Sequence, residues 1–287
     1  MSRPRDPWRL ALRRFARNRA ALAAALLLLL VAVSALTVQW FSPWGVAEQN
    51  LEIARQGPSR AHPFGTDEIG RDLFTRTLHG GRISLAVGLV ATLVSLLIGT
   101  TWGLIAGWRG GRLDELMMRL VDLLYGLPFL FVVVLLVAWF GQSLLLLFIA
   151  LGAVQWLTTS RIVRAETRRL RDAEFVLAAR SIGVPVPMIL VRHLLPNLAG
   201  PVLVVATLTV PAVMLEEAFL SFLGLGVQPP MASWGSLAAE GASAINPVDS
   251  MWWLIVFPGA LFAITLLALN FVGDGLRDAF DPRSSVE

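Results

Sequence analysis

Long apolar stretches separated by polar segments set the pattern of the chain. Six stand out, at residues 20–40, 83–106, 116–140, 144–159, 198–220 and 252–272. A helix needs roughly 20 mostly apolar residues to cross the hydrocarbon core of a bilayer. The pattern therefore predicts an all-α membrane protein with six transmembrane helices.

The polar segments between these stretches are unequal in length. They comprise the N-terminal segment 1–19, the loops 41–82, 160–197 and 221–251, and the tail 273–287. By contrast, only Gly-Gln-Ser at 141–143 separates the third and fourth stretches, which predicts a tight hairpin. The three long loops are too long to be mere connectors, so we expect each to have structure of its own.

Composition leads to the same class of protein. Hydrophobic residues make up 56% of the 287 residues and charged residues only 15%, with a mean hydropathy of +0.68. A soluble domain is typically about 45–50% apolar and about 25% charged. A water-facing surface cannot hide this apolar excess, so a membrane protein is the class that fits.

The first apolar stretch has an alternative interpretation as a cleaved signal peptide. Arg13, Arg14, Arg17 and Arg19 precede it, as positive charges precede a signal sequence. Its apolar run is closer to membrane-spanning length, and no Ala-x-Ala site follows cleanly. We therefore predict that it is retained as the first span.

The distribution of arginine predicts the orientation. The chain has two sets of polar segments, one on each side of the membrane. Nineteen arginines lie in or beside the set that comes before the first span, after the second, after the fourth and after the sixth. Five arginines lie in the loops of the other set. Basic residues concentrate on the cytoplasmic side of membrane proteins. Both termini are therefore predicted to be cytoplasmic, and the pI of about 11.0 needs no nucleic-acid partner.

Two missing residue types exclude several chemistries. All 24 basic residues are arginine, and there is no cysteine. A P-loop needs a lysine on the phosphates, and a Schiff-base enzyme needs a lysine amine. We therefore expect no cofactor on this chain, with any ATP and Mg²⁺ bound by partner subunits. His62, His79 and His193 match no metal-ligand spacing, so no metal site is expected.

The loop 160–197, on the predicted cytoplasmic side, carries the most information. Residues 161–180 show helical spacing of apolar and charged positions. Gly183, followed by prolines, is expected to end this helix, and a second short helix is expected at about 188–195, ending at Pro196. The loop is therefore predicted to form a helix-turn-helix between the fourth and fifth spans.

The same loop resembles the cytoplasmic signature of ABC-importer permeases. That signature reads Glu-Ala-Ala, three residues, Gly, nine residues, Ile, any residue, Leu-Pro. The matching positions here are Ala178, Ala179, Gly183, Leu195 and Pro196. Leu177 stands where the signature has glutamate, with Glu174 one turn earlier as a substitute, and His193 stands where it has isoleucine. The resemblance implies that these residues dock into a separate ATPase subunit and couple its closure to the membrane helices.

Three further runs resemble peptide-type permeases of this family. They are residues 64–72, residues 221–230 with Trp-Gly at 234–235, and residues 270–278 with Asp-Pro at 281–282. Together they resemble the C-type permease subunit of an oligopeptide or dipeptide importer over residues 10–284, with the permease domain at 83–284. The implied function is peptide translocation across the bacterial inner membrane by alternating access, without enzymatic activity of this chain.

The resemblance also implies partners and contact residues. The partners are a second homologous permease forming a heterodimer, two cytoplasmic ATPases, an extracytoplasmic substrate-binding protein and the lipid bilayer. The candidates for contact with the binding protein are Asp67, Gly70, Arg71, Asp72, Pro229, Pro230 and Trp234.

Several residues within the spans also stand out. Gly99, Gly103 and Gly107 recur at every fourth position, which predicts close helix packing or a sliding contact. Arg119 and Asp122 are predicted to pair on one helix face, and charges at this depth are also candidates for the substrate path.

Other candidates lie on the third, fifth and sixth spans. Glu216 and Glu217 are candidates for contact with a peptide amino terminus or with the partner subunit, or for a structural role. Pro128, Pro211 and Pro258 are expected to kink their helices or to free a carbonyl.

Two other classes of function compete with the importer interpretation. An intramembrane enzyme needs a nucleophile and a base at membrane depth, but no histidine lies in a predicted span, and only an aspartyl pair stays open. An ion-driven secondary carrier favours inverted repeats and broken helices, and neither is clear in this sequence. Nickel import by the same family remains an alternative cargo.

Overall fold

The computed structural model describes residues 7–245 and 250–280. Regular structure there is helical, apart from one isolated bridge between Thr66 and Asp72. The helices are α1 Pro7–Arg17, α2 Arg19–Phe41, α3 Leu73–Arg109, α4 Gly111–Tyr125, α5 Phe129–Phe140, α6 Leu144–Arg171, α7 Glu174–Ser181, α8 Val186–Ile189, α9 Leu195–Phe222, α10 Trp234–Ser243 and α11 Trp253–Phe280. A short 3₁₀ helix covers Leu51–Ile53, and a π-helical turn covers Leu190–Leu194 between α8 and α9.

Five helical segments are long and apolar enough to cross a membrane, and a sixth span results if α4 and α5 are taken together. The predicted third span at 116–140 is divided into α4 and α5, which are bent by 82°, in agreement with the kink expected at Pro128. Pro128 lies at the break: it has no backbone N–H to donate, and it disfavours helical geometry in the residue before it. The helices α9 and α11 run through Pro211 and Pro258 without ending.

The second span begins ten residues earlier than the predicted position 83. The side chain of Asp72 caps α3 by accepting a hydrogen bond from the Thr75 amide at 2.8 Å. Arg76 and Arg82 in the first turns lower the local hydropathy, which is why the apolar pattern missed them. Arg76 is buried by other parts of the chain, so the helix accommodates it.

The predicted division between the fourth span and the cytoplasmic loop is also corrected. The fourth span does not end at 159 but continues as α6 to Arg171, and a break at Asp172 separates it from α7. The single helix expected over 161–180 is therefore two helices. Contact with α3 along its whole length explains why α6 continues past the apolar residues.

Pro196 does not end a helix, contrary to prediction. It lies in the first turn of α9, where its missing N–H is not needed, and the helical segment runs from Val186 to Phe222. The sixth span likewise continues to Phe280 instead of ending at 272. The end of the predicted tail, including Asp-Pro at 281–282, lies outside the described residues.

The helices pack so that the bundle has two distinct ends. The helix α3 lies along α6 and α9, while α11 lies against α2 and α9. One core cluster includes Val87, Leu151 and Val213, from α3, α6 and α9. We call the end that carries α7, α8 and the C-terminal arginines of α3 and α6 the arginine-rich end. The opposite end, formed by segments 42–72, 223–245 and 250–252, is the loop end.

Candidate functional site

The turn between α7 and α8 projects from the arginine-rich end. Its inner side is held by Val176 and Ala179, which are buried in a cluster with Ile189, Leu194 and Leu198. Its outer side is exposed, including the predicted coupling residues Glu174, Ala178, Leu195 and Pro196. Of the signature residues, Ala179 therefore packs inside the chain, whereas the others named here are exposed on the outer side of the turn.

Gly183 sets the direction of this turn. Its φ is +81°, and its amide donates to Arg180 O at 2.9 Å while the Val184 amide donates to Ala179 O at 3.0 Å. This pair of bonds is the usual way for a helix to end on a left-handed glycine. A Cβ at Gly183 would meet no atom within 4 Å. Backbone conformation, rather than lack of space, is therefore what requires glycine here.

Apolar side chains cover the outer face of the turn. Ile182 is 80% exposed, and it is the most exposed member of a group that we call the coupling patch. The patch consists of Phe175, Leu177, Ile182, Val186, Met188 and Val191. Exposed apolar patches usually mark interaction sites. Sequence reasoning missed it, although apolar residues recurring within a charged loop were the available signal.

Arg180 ties this turn to the end of α3. Its guanidinium carbon lies 4.2 Å from the centroid of the Trp108 ring, and Arg171 Nη1 donates to the Trp108 carbonyl at 3.5 Å. A guanidinium over an indole face is a favourable cation–π contact. The contact therefore connects α7 to the last turn of α3.

The glycines of α3 let α6 approach to backbone contact. A Cβ on Gly99 would lie 2.6 Å from Thr159 Cβ, and one on Gly103 would lie 2.6 Å from the Ser160 carbonyl oxygen. Gly107 is equally constrained against the same helix. The structure thus places all three predicted packing glycines on one interface.

Ion pairs join α4 to α6. Asp122 does not pair with Arg119, as the sequence predicted, but with Arg161 across the helix interface, Nη2 to Oδ1 at 2.7 Å. Arg119 is on the exposed side of α4, whereas α6 presents Arg161 directly to the carboxylate. The buried Asp114, missed by the sequence analysis, binds Arg164 with both oxygens, Nη2 to Oδ2 at 2.7 Å.

Four charged side chains form an ion network at the loop end. Arg76 Nη1 lies 2.7 Å from Asp67 Oδ2 and 2.8 Å from Glu240 Oε2. Arg71 contacts the same two carboxylates, at 2.6 and 3.3 Å. Asp67 is buried, so this predicted binding-protein contact is turned inward and links the loop before α3 to α10.

Asp72 and Gly70 are also used inside the chain. Besides capping α3, Asp72 Oδ1 lies 2.8 Å from Nδ1 of the buried His62. Gly70 has φ +75°, and a Cβ there would lie within 1.7 Å of the Asn50 carbonyl oxygen. Both residues therefore hold the conformation of the loop, and neither is exposed on its outer surface.

The remaining candidates at the loop end are Trp234, which is buried, and two exposed prolines. Trp234 is buried, and its Nε1 donates to the Thr77 carbonyl at 2.8 Å. Pro229 and Pro230 are exposed. Of the predicted contacts, these two prolines are exposed, whereas the Arg71 side chain is 17% exposed.

The two adjacent carboxylates of α9 lie in different surroundings. Glu217 is completely buried, and its Oε1 accepts a hydrogen bond from Ser221 Oγ at 2.7 Å. Ser221 Oγ in turn accepts from the Val227 amide at 3.2 Å, which anchors the loop after α9. Glu216 faces α6, where its Oε1 accepts from Gln155 Nε2 at 2.7 Å, and it lines a cavity of about 290 Å³.

Comparison with known proteins agrees with this architecture. The family model of the binding-protein-dependent transport system inner membrane component matches residues 99–286, and that of the N-terminal TM domain of oligopeptide transport permease C matches residues 6–58. The chain therefore belongs to the family of inner-membrane components of binding-protein-dependent transport systems. The predicted resemblance and the inner-membrane location are confirmed.

Individual relatives make the likeness more specific. The chain is 46% identical over 281 residues to the oligopeptide transport system permease protein OppC of Haemophilus influenzae, covering 97% of this chain and 89% of the relative. It is 44% identical over 283 residues to the dipeptide transport system permease protein DppC of Bacillus subtilis, covering 99% and 87%.

A solved inward-facing structure of the MetNI methionine ABC transporter shares the fold. Its TM-score is 0.60 at 18% identity, with 73% of this chain and 98% of that chain covered. This likeness supports the helical architecture alone, because the sequence identity is low.

Proposed function

We propose that this chain is the transmembrane permease subunit of an ATP-driven importer that moves oligopeptides or dipeptides across the inner membrane by alternating access. The cargo is inferred from the relatives, whose names specify oligopeptide and dipeptide transport. The mechanism is inferred from the arginine-rich end, where the coupling patch is exposed on a turn with a buried inner face.

The coupling patch is the observation that carries the proposal. Its apolar side chains lie on α7 and the segment after it, beyond the charged end of α6. Water does not favour such a surface, and burial against a partner removes that cost. We assign this partner as one of two cytoplasmic ATPases, which bind ATP and Mg²⁺, since a chain without lysine supplies no P-loop.

Orientation and the other partners follow from the same assignment. The arginine-rich end faces the cytoplasm, in accordance with the positive-inside rule, with both termini on that side. The loop end faces outward and receives a substrate-binding protein, with Pro229 and Pro230 exposed there. A second homologous permease completes the translocation path.

Alternating access requires that the docked partner bind the two conformations of the permease differently. The contact of Arg180 with Trp108 and the close packing of α3 on α6 provide a stiff route from the turn to the membrane helices. We propose that closure of the ATPases moves α7 and, through α3, changes the angle between α4 and α5.

The test is reconstitution of the complete importer in proteoliposomes. Uptake of a radiolabelled peptide is expected to need ATP and to survive an ionophore that collapses ion gradients. Ile182→Asp, which places a charge in the coupling patch, is expected to reduce uptake and binding-protein-stimulated ATP hydrolysis, while Ile182→Leu retains both. Uptake that follows an ion gradient without ATP would refute the proposal.

A further inference from the structure

A cavity of about 290 Å³ lies between α9, α6 and the bend that joins α4 to α5. Pockets for small molecules range from about 300 to 1,000 Å³, so this space suits one end of a peptide rather than a whole one. Leu127 and Phe129 line it from either side of Pro128, at the bend itself. Its walls therefore include the part of the chain where the helical direction changes most sharply.

Glu216 is the one formally charged residue among those that line this cavity in the described structure. Its Oε1 is held by Gln155, while its Oε2 is enclosed and has no hydrogen-bond partner among the described residues. Burial of a carboxylate oxygen without a partner is costly, and a cation in the cavity removes that cost. Among the described residues that line the cavity, one acidic side chain is therefore present and no basic one.

No arginine is among the described residues that line the cavity. Arg161 lies next to a residue of this lining, since its guanidinium carbon is 4.4 Å from the centroid of the Tyr125 ring. Its Nη2 is already bound to Asp122 Oδ1 at 2.7 Å. The charge of Arg161 is therefore balanced by Asp122 and not by Glu216.

We infer that this cavity is a subsite for the ammonium group of the transported substrate, with Glu216 as its counter-charge and Gln155 as the residue that positions the carboxylate. The inference rests on the proposed peptide-import function and adds a specificity-determining residue to it. The remaining lining suits such a group: Tyr125 and Phe129 offer aromatic rings to a cation, and Thr158 offers a hydroxyl. A substrate carboxylate would instead meet a like charge.

The position at the bend gives the subsite a role in translocation. A change in the angle between α4 and α5 moves Leu127 and Phe129 relative to Glu216, which belongs to α9. The affinity for the ammonium group therefore differs between the two states of the bend. Such a difference is what allows a bound substrate and a conformational change to be coupled.

The absence of cysteine makes the first experiment direct. Thr158→Cys places a single thiol of this chain in the cavity, and its labelling by N-ethylmaleimide is measured in the assembled importer with ATP and loaded binding protein. Tri-alanine is expected to slow labelling, N-acetyl-tri-alanine to slow it less, and Glu216→Gln to abolish the difference. Leu12→Cys on α1, exposed and remote from the cavity, is the control for reagent access. Equal protection by the two peptides, or none, overturns the inference.

Transport provides the second measurement. In proteoliposomes with the same binding protein in every sample, Glu216→Gln is expected to lower tri-alanine uptake about ten- to a hundredfold, as typical for loss of a hydrogen bond to a charged group. Co-purification of Glu216→Gln with its partner subunits is the control, because an assembled complex separates loss of the subsite from loss of folding. Unchanged tri-alanine uptake overturns the subsite while leaving the import function intact. If the original chain supports no ATP-dependent uptake, the import function itself is refuted.

If Glu216→Gln does not assemble, the labelling difference between the two peptides in Thr158→Cys decides the question alone. Gln155→Ala, which removes the residue that positions the Glu216 carboxylate, then replaces Glu216→Gln as the variant expected to abolish that difference. The absence of a difference refutes the assignment.

Discussion

The guanidinium of Arg180 stacks on the ring of Trp108, with 4.2 Å between the guanidinium carbon and the ring centroid. The contact joins α7, which carries part of the coupling patch, to the last turn of α3. It bridges two segments about seventy residues apart in sequence, and it lies beside the groove formed by Arg171, Val184 and Ile189. A cation–π contact at such a site contributes about 0.5–1 kcal/mol.

Removal of this stack is expected to loosen coupling without abolishing assembly. Arg180→Ala should reduce the number of peptides imported per ATP hydrolysed about two- to fivefold, which corresponds to about 0.5–1 kcal/mol. The measurement is parallel uptake and phosphate release in proteoliposomes. Arg169→Ala is the matched control, because Arg169 is an exposed arginine at the same end that pairs only locally with Glu166. An equal effect of both substitutions would show that charge alone matters.

The interface between α3 and α6 is expected to tolerate no added carbon at Gly103. A Cβ there would lie 2.6 Å from the Ser160 carbonyl oxygen, so Gly103→Ala should push the helices apart and cost about 1–3 kcal/mol of stability. Gly259→Ala in α11 is the control, since a Cβ there meets nothing within 4 Å. Thermal unfolding of the purified subunit should separate the two variants by several degrees, and similar melting temperatures would contradict the packing argument.

Substitution at Gly183 should be limited by backbone conformation rather than by size. With φ at +81° and open space around the Cβ position, Gly183→Ala is expected to cost about 1–2 kcal/mol locally, and Gly183→Asn less. The measurement is binding-protein-stimulated ATP hydrolysis, with the expected order Gly, then Asn, then Ala. If Asn were worse than Ala, a steric contact with the partner would be the better explanation.

The ion network at the loop end should depend strongly on Arg76. This side chain is 3% exposed and bridges Asp67 to Glu240, so Arg76→Met removes one of the two arginines that hold these carboxylates, at a cost of about 1.5–3 kcal/mol. The control pair, Arg55 and Glu68, is 54% and 55% exposed at 3.8 Å, and Arg55→Met should cost less than about 1 kcal/mol.

Pulse proteolysis of the loop 42–72 under native conditions measures both effects. The double variant Arg76→Met with Asp67→Asn is expected to lose less than the sum of the single variants, because the two residues share one direct ion pair that either substitution removes. Additive losses would mean that the two residues act independently.

The places where sequence reasoning succeeded are those where local pattern and membrane physics agree. The apolar stretches became helices because a backbone in lipid must satisfy its own hydrogen bonds. Gly183 and its following prolines ended α7 where the sequence placed the turn, since a left-handed C-cap is a local requirement. Gly99, Gly103 and Gly107 fell on one interface because a spacing of four residues keeps them on one helix face.

The misses have a common physical origin in long-range contact. The start of α3 was missed because Arg76 lowers the hydropathy of its first turns, and only the fold supplies Asp67 and Glu240 as its partners. Asp122 was given the wrong partner for the same reason: Arg119 is near in sequence, but Arg161 is near in space. Pro128, Pro211 and Pro258 were treated alike, and only Pro128 stands at a break between helices.

By itself, the sequence determined the class of protein, the number of apolar stretches, the position of the coupling turn and the family to which the chain belongs. Those properties depend on composition, on short-range spacing and on the length needed to cross a bilayer. Tertiary structure alone decided that, of the three prolines in spans, Pro128 stands at a break, that Asp67 and Asp72 face inward, and that Glu216 lines a cavity beside the bend. These depend on which side chains meet across the bundle, because the cost of an unpaired charge or a clash is set by neighbours distant in the chain.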